Sequence, residues 1–309
     1  MANLRLRPLD DRDREQLAEL ICVSTNAWYQ QNGKPAIFPG GPATTAFFAE
    51  IYEALDPGCC MVAEHPASGR LMGSCFYHPR PTHVALGIMN VHPEFFGAGV
   101  ARALLAHITA LADAQRKPVR LVSSAQNLDS FSLYTRAGFV PRCTYQDMFL
   151  AVPIGGLAVE APRRQQVRPA RIADVPAIVA LEREISGISR EQDWRFFIDN
   201  AAGIWGLSVI DGAGGGLDGV LGSVCHPGST MLGPGVARDE SAAAALIHVR
   251  LDALRGKKPV FLIPCECGDL VRTLYGWGAR NCELHLLQVR GQAQPLRGVT
   301  MPTFMPETG

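Results

Sequence analysis

Residues 91–105 read Val91-His92-Pro93-Glu94-Phe95-Phe96-Gly97-Ala98-Gly99-Val100-Ala101-Arg102-Ala103-Leu104-Leu105. An apolar run, Val84 to Val91, enters this stretch as a strand and stops at Pro93. Two glycines follow, and then small and apolar residues from Gly99 to Ala114 predict a helix. Glycines at such a junction let backbone amides face outward with no Cβ in the way. The helix start adds a partial positive charge, so the loop suits an anion such as a pyrophosphate. It equally suits an ordinary glycine-rich turn into a core helix. It is not a Walker A loop, because no Lys-Ser or Lys-Thr follows the glycines, and two glycines rather than three set it apart from a dinucleotide fingerprint.

Working outward, one order of signals occurs twice. Leu4-Arg5-Leu6-Arg7-Pro8, followed by Asp13 to Leu20, predicts a short strand and a helix; Val167-Arg168-Pro169 with Asp174 and Ile178 to Leu181 repeats it. Strands at Met61 to Ala63 and Leu71 to Cys75 are matched by Gly206 to Ile210 and Val220 to Val224, with Gly73-Ser74 and His78-Pro79 answered by Gly222-Ser223 and His226-Pro227. Pro93 and Tyr134 lie 41 positions apart, as do Pro234 and Tyr275. In the first copy Val119 to Ser123 predicts a strand and Ser130 to Arg136 a helix ended by Gly138. The chain therefore reads as two copies of one α+β unit, each with a central, mixed but mostly antiparallel sheet flanked by helices. The seam, Pro153 to Gln166, contains Gly155-Gly156, Pro162 and a solvated Arg163-Arg164, which places domains at 1–153 and 167–309 joined by a linker at 154–166.

The 309 residues suit two domains, and 29 basic against 29 acidic residues leave no bulk attraction for nucleic acid or an anionic membrane. No apolar run reaches the ~20 residues of a membrane span, and the first residues lack the apolar core of a signal peptide; a cytoplasmic protein is expected. Nine cysteines at irregular spacing, including Cys59-Cys60 and an isolated Cys265-x-Cys267, read as reduced thiols, with no metal site expected.

The stretch from Val91 to Leu105, with Asn127, Leu133-Tyr134 and Gly138-Phe139, resembles the GCN5-related N-acetyltransferase (GNAT) superfamily. The loop signature of that family is Arg/Gln-x-x-Gly-x-Gly/Ala, met here by Phe96-Gly97-Ala98-Gly99-Val100-Ala101, with Phe96 in place of the usual Arg or Gln. The resemblance covers residues 3–152 and implies acetyl-CoA as acyl donor. Its pantetheine arm would pair like an added strand with backbone groups at Met89 and Val91. The diphosphate would sit on the amides of Gly97, Ala98, Gly99, Val100, Ala101 and Arg102, with Asn127 and Ser130 completing the cofactor site. The amide near Val91 would polarise the thioester carbonyl, and Tyr134 would protonate the departing thiolate. No acid stands on Val84 to Val91 to act as the general base; His83, His92, Glu94 or a water relay remain open. Trp28 and Tyr29 either wall the acceptor site or pack a helix on the sheet.

Aligning Pro93 with Pro234 sets Gly99 on Glu240, Asn127 on Gly268 and Tyr134 on Tyr275. That alignment implies a second copy without acyl-CoA binding. The expected acceptor is a primary amine on a small molecule or peptide. Two paired copies favour a monomer over a homodimer. The competing reading is an acyl-CoA-binding or sensing module without turnover.

Overall fold

The computed structural model describes residues 4–306 and divides into two compact units, each considered by itself. Unit 1 holds the residues up to Pro79 together with Val84–Val119; unit 2 holds Arg80–His83 and Arg120–Met305.

Unit 1 contains β1 (Arg5–Pro8), α1 (Arg14–Gln31), α2 (Ala46–Leu55), β2 (Cys60–Glu64), β3 (Leu71–Pro79), β4 (Val84–Val91) and α3 (Val100–Ala114). Its strands run β1-β2-β3-β4, each antiparallel to the next. The two faces are covered by different helices. Gly73 points at α3, where an added Cβ would lie 2.7 Å from Val100 Cγ1, while Asn90, paired with the adjacent Ser74, reaches Ser24 of α1 at 2.6 Å. Alternation along a strand puts neighbouring residues on opposite faces, so α1 and α3 sandwich the sheet.

Unit 2 receives β5 (Val119–Ser124) from Arg120 on, then α4 (Leu128–Arg136), β6 (Val140–Phe149), β7 (Val167–Pro169), α5 (Val175–Ser186), α6 (Glu191–Asp199), β8 (Trp205–Asp211), β9 (Leu217–His226), β10 (Ser229–Ala237), α7 (Glu240–Asp252), β11 (Val260–Pro264), α8 (Gly268–Gly276), β12 (Arg280–Arg290) and β13 (Val299–Met301). The order is β5-β12-β6-β11-β10-β9-β8-β7, with β13 on β10. The last strands of the two copies are thus exchanged. β12 of the second copy lies beside β5 of the first, and β6 of the first lies beside β11 of the second. The core centres on α7, whose residues Ala242 to His248 are all buried, as befits a helix apolar on nearly every side. The seam packs on it: His248 Nε2 meets the Val159 carbonyl at 2.8 Å, Arg163 is half-buried against Asp218, and Arg164 stays exposed as expected while pairing with Asp252.

The repeat is written in side chains. Arg7 binds Asp13 at 2.5 and 2.9 Å and Glu64 at 2.7 Å, and Asp13 accepts the Asp10 amide. Arg168 likewise binds Asp174 at 2.8 and 2.9 Å and Asp211 at 2.9 Å, with Asp174 accepting the Arg171 amide. The later alignment differs from expectation by one residue. The Phe139 amide bonds the Tyr134 carbonyl and the Ala279 amide the Leu274 carbonyl, so Leu274, not Tyr275, stands in the place of Tyr134. By the same shift Asn127 and Cys267 are equivalent N-caps, and Gly99 and Asp239 are equivalent helix starts. Pro93 follows β4 whereas Pro234 lies inside β10, so their matched interval to a tyrosine is coincidental. No described helix is long and apolar enough to cross a membrane.

Candidate active site

In unit 1, β4 bulges between Leu86 and Met89, three residues spanning the two from Tyr77 to Cys75 on β3. Beyond the bulge Met89, Asn90 and Val91 stand opposite Cys75, Ser74 and Gly73. The loop that follows is clamped at its root. Arg70 donates to Glu94 at 2.5 Å and meets His92 Nε2 at 3.1 Å, while His92 Nδ1 accepts the Glu94 amide. The Arg70 contact holds the Glu94 carboxyl below its usual range. His92 and Glu94, two of the residues considered for the general base, are therefore both tied into this clamp.

Gly97 and Gly99 have φ of 77° and 87°, the left-handed region that favours glycine. A Cβ on Gly97 would meet nothing within 4 Å and one on Gly99 only Arg102 Nη2 at 3.5 Å, so backbone conformation rather than packing selects glycine. Gly99 is the N-cap of α3; no side chain caps that end and no acid stands in its first turn. The first-turn amides of Val100, Ala101 and Arg102 therefore have no side-chain cap, with the positive end of the helix dipole behind them. The Ala98 amide differs from the others, turning inward to the Phe95 carbonyl at 3.2 Å. Phe96, where the family signature has Arg or Gln, is exposed.

Asn127, Ser130 and Tyr134 come together in unit 2 on α4. Asn127 Oδ1 caps the helix by accepting the Ser130 amide at 3.0 Å. Tyr134 is buried with its ring against Phe139, centroids 5.7 Å apart. Gly138, at φ 89°, ends the helix as its sequence position foretold.

Three polar groups were not singled out by sequence reasoning. Asp56 and His78 are buried and 2.5 Å apart, and a Cβ on Gly87 at the β4 bulge would lie 3.0 Å from His78 Nε2. Asn90 is held by Ser24. In unit 2 Asp147, Glu283 and His285 bring ligand atoms within 4.8 Å of one another, and the Ser124 hydroxyl donates to Glu283. Two carboxylates and an imidazole suit a divalent cation, a possibility that sequence reasoning passed over. Only the exchange of β12 makes Asp147 and Glu283 neighbours. His78 was legible as half of a His-Pro pair, but nothing in the sequence couples it to Asp56.

Residues 56–141 match the family model described as the acetyltransferase (GNAT) domain. No curated protein matches the sequence. Among solved structures, a protein of Pyrococcus horikoshii described as a candidate acetyltransferase superposes with a TM-score of 0.71 at 14% identity, over 99% of this chain and 96% of its own. A GCN5-related N-acetyltransferase of Sphaerobacter thermophilus gives 0.60 at 15% identity, over 96% and 98%. A tandem GNAT protein from the clavulanic acid biosynthesis pathway gives 0.60 at 16%, over 93% and 98%. The likeness to these structures is one of fold. Residues 56–141 thus match a GNAT acetyltransferase domain, and nearly the whole chain shares the fold of these structures, a tandem GNAT protein among them.

Proposed function

We propose that the protein is an N-acetyltransferase that moves an acetyl group from acetyl-CoA to a primary amine, with the donor bound by the first copy. The observation that carries this reading is the β4–α3 loop. Two left-handed glycines lead into a helix start that no side chain caps and no acid opposes, which suits a diphosphate. Backbone groups of Met89 and Val91 accept the pantetheine arm, and a β4 amide polarises the thioester carbonyl. The neutral amine attacks the carbonyl carbon; the new C–N bond forms as the C–S bond breaks. Tyr134 gives its phenolic proton to the departing thiolate and regains one from the ammonium through solvent. Release of free thiol from acetyl-CoA across a panel of small and peptide amines tests the reading. Saturable binding by calorimetry without turnover on any amine would replace it with an acyl-CoA-sensing role.

A further inference from the structure

The second copy carries counterparts of the β4 donor strand and of the α3 start, and both are already engaged by the chain itself. β10 bulges between Leu232 and Gly235 across Ser223 to Leu221, as β4 does between Leu86 and Met89. Gly219 opposes Ala237 as Gly73 opposes Val91, and each glycine is closely approached by the next helix, Leu246 Cδ1 and Val100 Cγ1 both falling 2.7 Å from an added Cβ. Gly235, Val236 and Ala237 are therefore the equivalents of Met89, Asn90 and Val91.

β10 and the parallel β11 pair only at Met231 and Val260 and then part. Into that opening runs β13, antiparallel to β10, with Met301, Thr300 and Val299 opposite Gly235, Val236 and Ala237. The fit is close. A Cβ on Gly298 would lie 2.5 Å from the Ala237 carbonyl oxygen and one on Gly233 2.7 Å from that of Pro302, while the Thr300 hydroxyl meets Tyr145 Oη at 3.0 Å. Val299, Met301, Thr303 and Met305 are buried.

The anion end is answered too. Eight residues, 92–99, connect β4 to α3, whereas two, Arg238 and Asp239, connect β10 to α7. Asp239 caps α7 through the Ala242 amide at 2.7 Å, and Glu240 accepts the Leu270 amide at the start of α8 at 2.5 Å. The neighbouring cations Arg163 and Arg238 are paired with Asp218 and Glu184.

We propose that the second copy's acyl-donor slot is a strand-binding site whose resident ligand is the chain's own segment Gly298–Met301, with the Asp239 and Glu240 carboxylates on the helix starts in place of a diphosphate. This rests on the reading that Met89–Val91 hold the donor in the first copy. An extended apolar strand satisfies the β10 backbone groups as a pantetheine arm would, and the slot is closed to a thioester.

Amide hydrogen exchange on the full chain, with and without saturating acetyl-CoA, tests this alongside calorimetric stoichiometry. The amides of Gly235–Ala237 and Val299–Met301 should exchange at least about 100-fold slower than unstructured chain in both conditions, with one equivalent of acetyl-CoA bound. Fast exchange at Val299–Met301, or loss of their protection as a second equivalent binds, would overturn the proposal. Failure of acetyl-CoA to slow Met89–Val91, with Gly235–Ala237 still slow, would instead refute the donor site of the first copy and leave the occupied slot standing.

Discussion

Replacing Gly99 with glutamate separates the two readings of the β4–α3 loop. Gly99 sits at φ 87° as the N-cap of α3, with open space at its Cβ apart from Arg102 Nη2 at 3.5 Å. A side chain there meets no wall, so the folding cost is the left-handed backbone alone, about 1–2 kcal/mol. Against a bound diphosphate the carboxylate places like charges at ~5 Å. With an effective dielectric of ~20 that repulsion is about 3 kcal/mol, on the order of a 100-fold loss of CoA affinity. Gly99→Asn supplies the control, since asparagine tolerates the left-handed region and brings no charge. Titration calorimetry should show Gly99→Asn retaining most of its CoA affinity and Gly99→Glu losing at least two decades, with both variants folded by circular dichroism. Wild-type affinity in folded Gly99→Glu would refute the assignment of this loop to the diphosphate.

Tyr134→Phe should lower turnover about 100-fold, the low end for general-acid catalysis because a thiolate is a fair leaving group, while CoA affinity stays within a few-fold; an unchanged kcat would remove Tyr134 from the mechanism. Tyr275→Phe should leave turnover alone, since Tyr275 is exposed, hydrogen-bonded to Gln146 and equivalent to Thr135 rather than to Tyr134. Arg80 and Asp193 form a fully buried ion pair at 2.6 Å, so Arg80→Met should lower unfolding free energy by about 3–5 kcal/mol in urea titrations by stranding the carboxylate. The Arg7 hydrogen bonds hold the Asp13 carboxyl below its ordinary range. A folded value below the unfolded one means the pair's stabilisation is complete above about pH 4 and drains away as pH falls through the folded value. Asp13→Asn should therefore lose more stability at pH 7 than at pH 2, read from urea midpoints.

The parts of the fold set by local chemistry were legible. β4 begins and ends at Val84 and Val91 as its apolar run indicates, because Pro93 cannot continue a ladder and Gly97 and Gly99 supply the left-handed turns. The duplication was legible from Arg7-Pro8 and Arg168-Pro169, and the ion pairs of each arginine with an aspartate six residues on explain why that spacing recurs. The exact alignment of the copies was not. A proline ending one strand and a proline inside another look alike in sequence, and only the position of the bulge distinguishes Pro93 from Pro234. The strand exchange was equally hidden, since the alternation along β12 is the same whether its neighbour is β5 or β11.

At the candidate site the same division holds, and the second copy shows it most plainly. The first loop was legible because its backbone is encoded by glycines whose purpose is conformational, Gly97 and Gly99 holding the left-handed turns into α3. The glutamate expected in the place of Gly99 was a carboxylate one residue from the one that stands there. Asp239 holds that place and caps its own helix, while Glu240 crosses to α8. Neither role can be read from one helix, because the Glu240 partner, Leu270, lies 30 residues on. β13 was invisible for a related reason: Val299-Thr300-Met301 is too short to announce itself as a strand and becomes one only on the β10 edge. An unpaired strand edge inside a protein leaves amides and carbonyls unsatisfied. Where β10 parts from β11 that edge must either face water or be covered, and here the three residues of β13 do the covering.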